Sequence, residues 1–302
     1  MKNPFKFSLI GGLLLLLAAS STSTLQGQVV LLDEQFNGNS VDTSIFTFSS
    51  AGDESFFGRT QLNSPDLPGP FDAPDVSGGT LRLSLDTFNP FGSAAGELFL
   101  ADEIRTQQVF APTPNSFTRY EVRARFVDDA VNPLGPGLVG GIFTFGVDAQ
   151  FPVVFERDEV DIELLSNDAQ TGVLTNIFDD QDFNSAGNFE EVAIPGFDAT
   201  EFNDYRFEIA TDAIRFFVND QLIREDFTDL AIEPQQFRLN INAPDDSFSS
   251  AFSSDLQPTA DITQNQTFIF EVDSLVISQV PEPSTGVVAV LSGLTVLTRR
   301  RK

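Results

Sequence analysis

Three carboxylic acids stand at alternating positions in one short run, Asp158-Glu159-Val160-Asp161-Ile162-Glu163-Leu164-Leu165. On a β-strand successive side chains point to opposite faces, so Glu159, Asp161 and Glu163 share one face and Val160, Ile162 and Leu164 the other. Like charges crowded on one face repel, which makes the arrangement costly in a strand with only a structural role. It makes sense if the acids do chemistry. The sequence contains no His and no Cys. That excludes a Ser-His-Asp triad, a Cys nucleophile and an ordinary His or Cys zinc site. Hydrolysis by paired carboxylates remains open to these residue types.

The elements that must position the acids read as strands almost throughout. The candidates are Thr80 to Leu85, Tyr120 to Phe126, Val139 to Phe145, Glu159 to Leu165, Tyr205 to Ile209, Ile214 to Val218, Phe237 to Ile241 and Phe268 to Ile277. Between them lie turn-forming clusters such as Asn132-Pro133-Leu134-Gly135-Pro136-Gly137. Asn219-Asp220, between Phe216-Phe217-Val218 and Leu222-Ile223, predicts a tight hairpin. No stretch sustains a helical stripe beyond a turn or two, and no internal repeat or long linker divides the body. The expectation is one all-β domain over residues 28–279, a two-sheet sandwich. With 32 Phe, two Tyr and no Trp, Phe must fill its core.

Both ends differ from this body. Residues 1–27 read as a signal peptide: Lys2 and Lys6 open a basic start, Leu9 to Ala19 is a short apolar stretch, and small polar residues follow. Residues 280–302 hold Val280-Pro281-Glu282-Pro283-Ser284, an apolar run from Gly286 to Leu297 and the closing Arg299-Arg300-Arg301-Lys302. That order resembles the PEP-CTERM sorting signal of exopolysaccharide-producing Gram-negative bacteria, which implies export, envelope sorting and a partner in the sorting machinery. The whole chain has 17 basic and 44 acidic residues; without the six bases and one acid of the ends, 11 and 43 remain, a formal charge of −32. Such a surface repels nucleic acid and other polyanions. Export without Cys means that no disulfides assist the fold, and a body of this length suffices without them. A monomer is expected.

Along the body, Asp33-Glu34-Gln35-Phe36-Asn37-Gly38, Gly79-Thr80-Leu81-Arg82-Leu83, Glu103-Ile104-Arg105-Thr106, Gly141-Ile142-Phe143-Thr144-Phe145, Phe202-Asn203-Asp204-Tyr205 and Phe237-Arg238-Leu239-Asn240-Ile241-Asn242 follow in order around the acidic run. Over residues 29 to 278 this resembles glycoside hydrolase family 16, within it the lichenase-like β-glucanase branch. The resemblance implies a concanavalin-like jelly-roll β-sandwich with a substrate cleft across its concave sheet. It implies an endo-glycosidase acting on β-glucan or a related polysaccharide, with transglycosylation as a variant. Glu159 would be the nucleophile, Glu163 the general acid and then base, and Asp161 the residue that orients and tunes Glu159. Retention needs carboxyls about 5–5.5 Å apart, whereas four strand residues separate Cα atoms by roughly 13 Å; long side chains leaning together on a bent strand close most of that gap. Family members of the laminarinase and agarase side carry an extra residue in the acidic run; its absence here leans toward lichenase or xyloglucan-type substrates.

The same resemblance assigns sugar contacts to Glu103, Arg105, Phe143, Phe145 and Asn240. Phe143 and Phe145 are read either as subsite walls or as ordinary packing, and Arg105 either as a sugar contact or as an ion-pair partner. Catalysis requires no cofactor. A structural Ca²⁺ is implied at Asp273 with a backbone oxygen of Gly79, an oxygen ligand set suited to that ion. Asp180, Asp182, Asn184 and Glu191 imitate a calcium loop, but Ser185 stands where the turn needs Gly, and a solvated acidic loop is the better expectation. The chain departs from the family in lacking Trp, whose broad face stacks on sugars: Asn242 and Ser247 stand at the corresponding positions, and Asn203 where a His is often found. The alternative to an enzyme is therefore a non-catalytic jelly roll that binds or organises extracellular polysaccharide.

Overall fold

Alternation of apolar and polar residues gives each strand one face to bury, and two sheets packed face to face bury both sets. A computed structural model describes residues 27–49, 56–67, 71–150, 154–182 and 187–282. The signal-peptide reading and most of the sorting-signal reading lie outside these residues, as do Asn184 and Ser185 of the calcium-like loop. Among the described residues there is no α-helix, only short 3₁₀ turns such as Ser166–Asp168.

Among the described residues one sheet has eleven strands. Those used below are β3 (Phe56–Phe57), β4 (Thr60–Leu62), β5 (Asp75–Ser77), β6 (Thr80–Asp86), β9 (Ser116–Phe126), β14 (Asn203–Ile209), β15 (Ile214–Val218), β16 (Gln221–Asp226) and β18 (Thr267–Pro281). The other has seven strands in the order β13 (Glu190–Ala193), β12 (Gly172–Asp182), β11 (Val154–Leu165), β10 (Val139–Gln150), β17 (Gln235–Asn242), β8 (Glu103–Phe110) and β2 (Phe46–Phe48). The acidic run sits on β11, near the middle of the seven-stranded sheet. The two sheets form the expected jelly roll.

The core explains the orientation of β11. Val160, Ile162 and Leu164 have no solvent exposure and face the other sheet. Burying three such side chains stabilises the fold by about 5–9 kcal/mol as an upper estimate, so a one-residue slip that turned them outward is strongly disfavoured. Phe fills the interior as anticipated. Tyr120 of β9 stacks on Phe237 of β17 at 5.7 Å and on Phe207 of β14 at 4.8 Å, which ties the sheets together beneath the acids' neighbours. The predicted hairpin joins β15 and β16: Asn219 and Asp220 have φ of 50° and 62°, the left-handed pair that a two-residue turn of this type requires.

Candidate active site

The outward face of the seven-stranded sheet carries the acids in the order the alternation requires. Glu163 lies opposite Gly141, Asp161 opposite Phe143 and Glu159 opposite Phe145 on β10, in unbroken register. The acidic run itself therefore has no bulge, as the sequence suggested. A bulge does occur on the other side, in β12, where the register shifts between Arg157 and Glu159. Beyond β10, Gly141 faces Asn240 and Phe143 faces Arg238 on β17, and these face Glu103 and Arg105 on β8. On β12, Asn176 faces Asp161 and Phe178 faces Glu159.

Glu159 and Asp161 are 7% and 4% exposed, and Glu163 is the most open of the three. Phe57, Gly141, Phe143, Asn240 and Asn242 line a hollow with them of about 10 Å³, room for one water. Burial raises all three carboxyls, and their surroundings then separate them. Glu159 is raised by burial but pulled back by Arg157 and by a hydrogen bond with Asp161. Asp161 is pushed well up by burial and by the charges of Glu159 and Glu163. Glu163 is pushed to about 8 by burial and by Glu159. The cation and the donor beside Glu159 offset part of the effect of burial, whereas the bond that Asp161 donates to Glu159 favours the protonated form of Asp161. Glu163 stays protonated at neutral pH.

Glu103 is 3% exposed and engaged by protein: it accepts from Ser49 Oγ at 2.7 Å and Asn240 Nδ2 at 3.2 Å, and Arg238 Nη1 lies 3.5 Å away. It buttresses Asn240 rather than lining the hollow. Asn240 and Phe143 do line it. Phe145 lies beneath Arg238, whose guanidinium carbon is 4.3 Å from the ring centroid. Arg105 donates from Nη2 to the Phe48 carbonyl at 3.2 Å. Asn242 is 1% exposed, donates to Asn240 Oδ1 at 3.2 Å, and leaves its own Oδ1 without a hydrogen-bond partner. Ser247 closes a turn on Asp245, and Asn203 donates to the carbonyls of Asp198 and Glu201; neither takes part in the hollow.

Sequence reasoning missed Phe57, Arg238 and Arg157. The last carried a signal: the same-face alternation that picks out the acids extends back to residue 157. Phe57 carried none, since β3 belongs to the opposite sheet.

Asp273 lies where β18 shifts register against β9, and Gly79, with φ of +86°, turns β5 into β6 beside the same stretch. The fit to Ca²⁺ is partial, because Arg123 Nε already stands 3.4 Å from the Asp273 carboxylate and would have to give way. Among the described residues three acids converge elsewhere, Asp158, Asp179 and Asp180. Asp158 accepts the backbone N–H groups of Asp180 and Glu233 and Asp179 that of Leu230, so both fasten loops.

Two mostly antiparallel sheets carry a row of three carboxylates across one face, all raised by burial and each with different neighbours, an arrangement suited to glycosidic bond hydrolysis. The family model described as "Glycosyl hydrolases family 16" matches residues 108–254, just under half of the chain and including all three acids. None of the curated proteins matches the sequence. Among solved structures, a β-1,3-1,4-glucanase (lichenase) from a mouse hindgut metagenome is 21% identical with a TM-score of 0.58, over 82% of this chain and 97% of that one. A Bacillus licheniformis β-glucanase is 18% identical with a TM-score of 0.55, over 83% and 97%. An endo-β-1,3-glucanase from Pyrococcus furiosus is 14% identical with a TM-score of 0.61, over 85% and 96%. These likenesses establish the shared fold.

Proposed function

We propose that this protein is an exported, retaining endo-glycosidase that cleaves the O-glycosidic bonds of a β-glucan or related polysaccharide by double displacement. The observation that carries the reading is the outward row Glu159, Asp161, Glu163, in which Arg157 and a hydrogen bond from Asp161 favour the ionised form of Glu159 while burial and the Glu159 charge push Glu163 up to about 8. In the first step the Glu159 carboxylate attacks the anomeric carbon, the glycosidic C–O bond breaks, and Glu163 gives its proton to the leaving oxygen. Forming the ester removes the Glu159 charge, so the Glu163 carboxyl drops in pKa and stays ionised. In the second step Glu163 takes a proton from water, the hydroxyl oxygen bonds to the anomeric carbon, and the Glu159 carboxylate departs. Asp161, protonated and hydrogen-bonded to Glu159, fixes which carboxylate oxygen is presented.

The family 16 match and the glucanases that share the fold support β-glucan as the substrate class. Export to the envelope of a Gram-negative cell, sorting through the C-terminal segment and a monomeric state are part of the same reading, carried by the sequence. A Ca²⁺ at Asp273 and Gly79 belongs to it as a stabilising ion, checked by a shift in melting temperature on adding Ca²⁺ and then chelator.

One observation favours the alternative of a non-catalytic polysaccharide binder: the hollow that Phe57 lines with the acids holds only about 10 Å³. The decisive experiment incubates the protein and its Glu159→Gln variant with mixed-linkage β-glucan, laminarin, xyloglucan and native exopolysaccharide. Reducing ends released by the native protein alone support the enzyme. Binding by both proteins without release by either establishes the binder.

A further inference from the structure

We infer that Arg157 is a positioning residue for this reaction: laid on the Phe178 ring, its guanidinium holds one oxygen of Glu159 and so keeps that carboxylate ionised and aimed. The inference rests on the reading of Glu159 as the nucleophile. Arg157 Nη1 is 3.1 Å from Glu159 Oε2, with the two side chains only 14% and 9% exposed. An ion pair so shielded from water is weakly screened, unlike a surface pair. The guanidinium carbon lies 3.5 Å from the Phe178 ring centroid, a cation–π stack that fixes the plane of the group.

The backbone supplies a reason for this geometry. Arg157 and Glu159 are two residues apart on one face of β11, and Phe178 is the cross-strand partner of Glu159, whereas Arg157 pairs in register with Gln181. Between these pairs β12 carries its extra residue, with Asp180 at φ 49°. Such a bulge bends the strand and re-aims its side chains. Asp158 pins it by accepting the N–H of Asp180 at 3.0 Å and of Glu233 at 2.9 Å. The ring is thereby available to Arg157 as well as to Glu159.

The charged surroundings of Glu159 single out Arg157. On its own strand stand Asp161 and Glu163; β17 contributes Arg238 and β8 contributes Glu103. Directly opposite, β10 and β12 present Phe145 and Phe178, which carry no charge. Arg238 lies over Phe145 and pairs with Glu103 at 3.5 Å. Arg157 is paired directly with the carboxylate that must ionise, and its charge acts on Glu159 more strongly than that of Arg238. It also stands ready for the second step, when the departing carboxylate regains its charge.

The test uses the folded full-length body with glutamate labelled by ¹³C at the side-chain carboxyl. The Glu159 resonance is identified by its loss in Glu159→Gln and followed through a pH titration. In Arg157→Met its midpoint is expected about one pH unit higher, as for a carboxylate losing an adjacent cation, and in Arg157→Lys close to native. The acid limb of kcat/KM on mixed-linkage β-glucan should move upward with it. An unchanged midpoint in an Arg157→Met protein with native circular dichroism overturns the inference. If that variant does not fold, Arg157→Gln, which keeps a polar end without charge, gives the same reading. Should the native protein cleave no glycan, the functional reading falls while the titration still decides whether Arg157 holds Glu159.

Discussion

Asn240 fills the space that a side chain at position 141 would need. A Cβ on Gly141 would lie 2.5 Å from Asn240 Oδ1 and 3.4 Å from the Phe143 ring. Gly141 sits between Glu163 and Asn240 in register, so the missing side chain lets an amide stand beside the acid. Gly141→Ala should push Asn240 off Glu103 and out of the hollow. We expect kcat/KM to fall about tenfold, with a stability loss of about 1–2 kcal/mol from the added volume; steady-state kinetics and urea unfolding measure the two.

The roles of the two glutamates separate by leaving group. Glu163→Gln should lower the rate on polysaccharide by about 10³-fold, within the usual contribution of a positioned acid. An aryl glycoside whose phenolate leaves without a proton should react far better with that variant. Glu159→Gln should fail on both, because no ester can form. Equal loss on both substrates in Glu163→Gln would remove its role as acid.

Stability should decline toward alkaline pH. A carboxyl whose folded pKa is raised favours the native state below the ordinary carboxylate range, and that contribution is lost as pH rises through the folded value. Glu163, pushed to about 8, extends this loss to mildly alkaline pH. Asp102, pushed by burial to about 6 against bonds from Ser84 and Asn63, adds to it at lower pH. Glu163→Gln should flatten the upper part of the decline and, at pH 9, exceed the native protein by about 1–3 kcal/mol in urea unfolding. The rate should fall over the same upper range, as the acid loses its proton.

Phe57 is an exposed aromatic side chain beside the acids in a sequence that has no Trp. It is 38% exposed and lines the hollow with the acids. Its hairpin to β4 is fastened by Arg59, which donates to the carbonyls of Pro244, Leu256 and Ser253 at 3.0, 2.8 and 3.2 Å and lies between Phe99 and Phe252. Phe57→Ala should raise KM about tenfold with kcat near native, the pattern of a lost sugar platform. Arg59→Ala should also lower the melting temperature, since it unfastens the hairpin.

The sequence made β11 legible because its two faces differ so sharply in kind, and the Asn219-Asp220 turn because only a few residue pairs tolerate its conformation. Strand β12 escaped notice for the opposite reason. Val173, Thr175 and Ile177 alternate with Leu174, Asn176 and Phe178, and with apolar groups on both faces no period of two stands out. Of the residues picked out in the sequence, Glu159, Asp161, Glu163, Asn240 and Phe143 line one hollow, and strand alternation and family landmarks pointed to them because both are local signals. That Glu103 supports Asn240 from behind, and that Phe57 arrives from the opposite sheet, depend on contacts far apart in the chain. No local pattern encodes them.

Strand β11 presents Val160, Ile162 and Leu164 to the interior through the same peptide units that hold the acids outward. A methyl group lost beneath the sheet would be answered by a small tilt of the backbone, and the carboxylates above would tilt with it. Bond cleavage therefore senses how well the hydrocarbon below is filled, and the interior here is answerable to two demands at once: cohesion and aim.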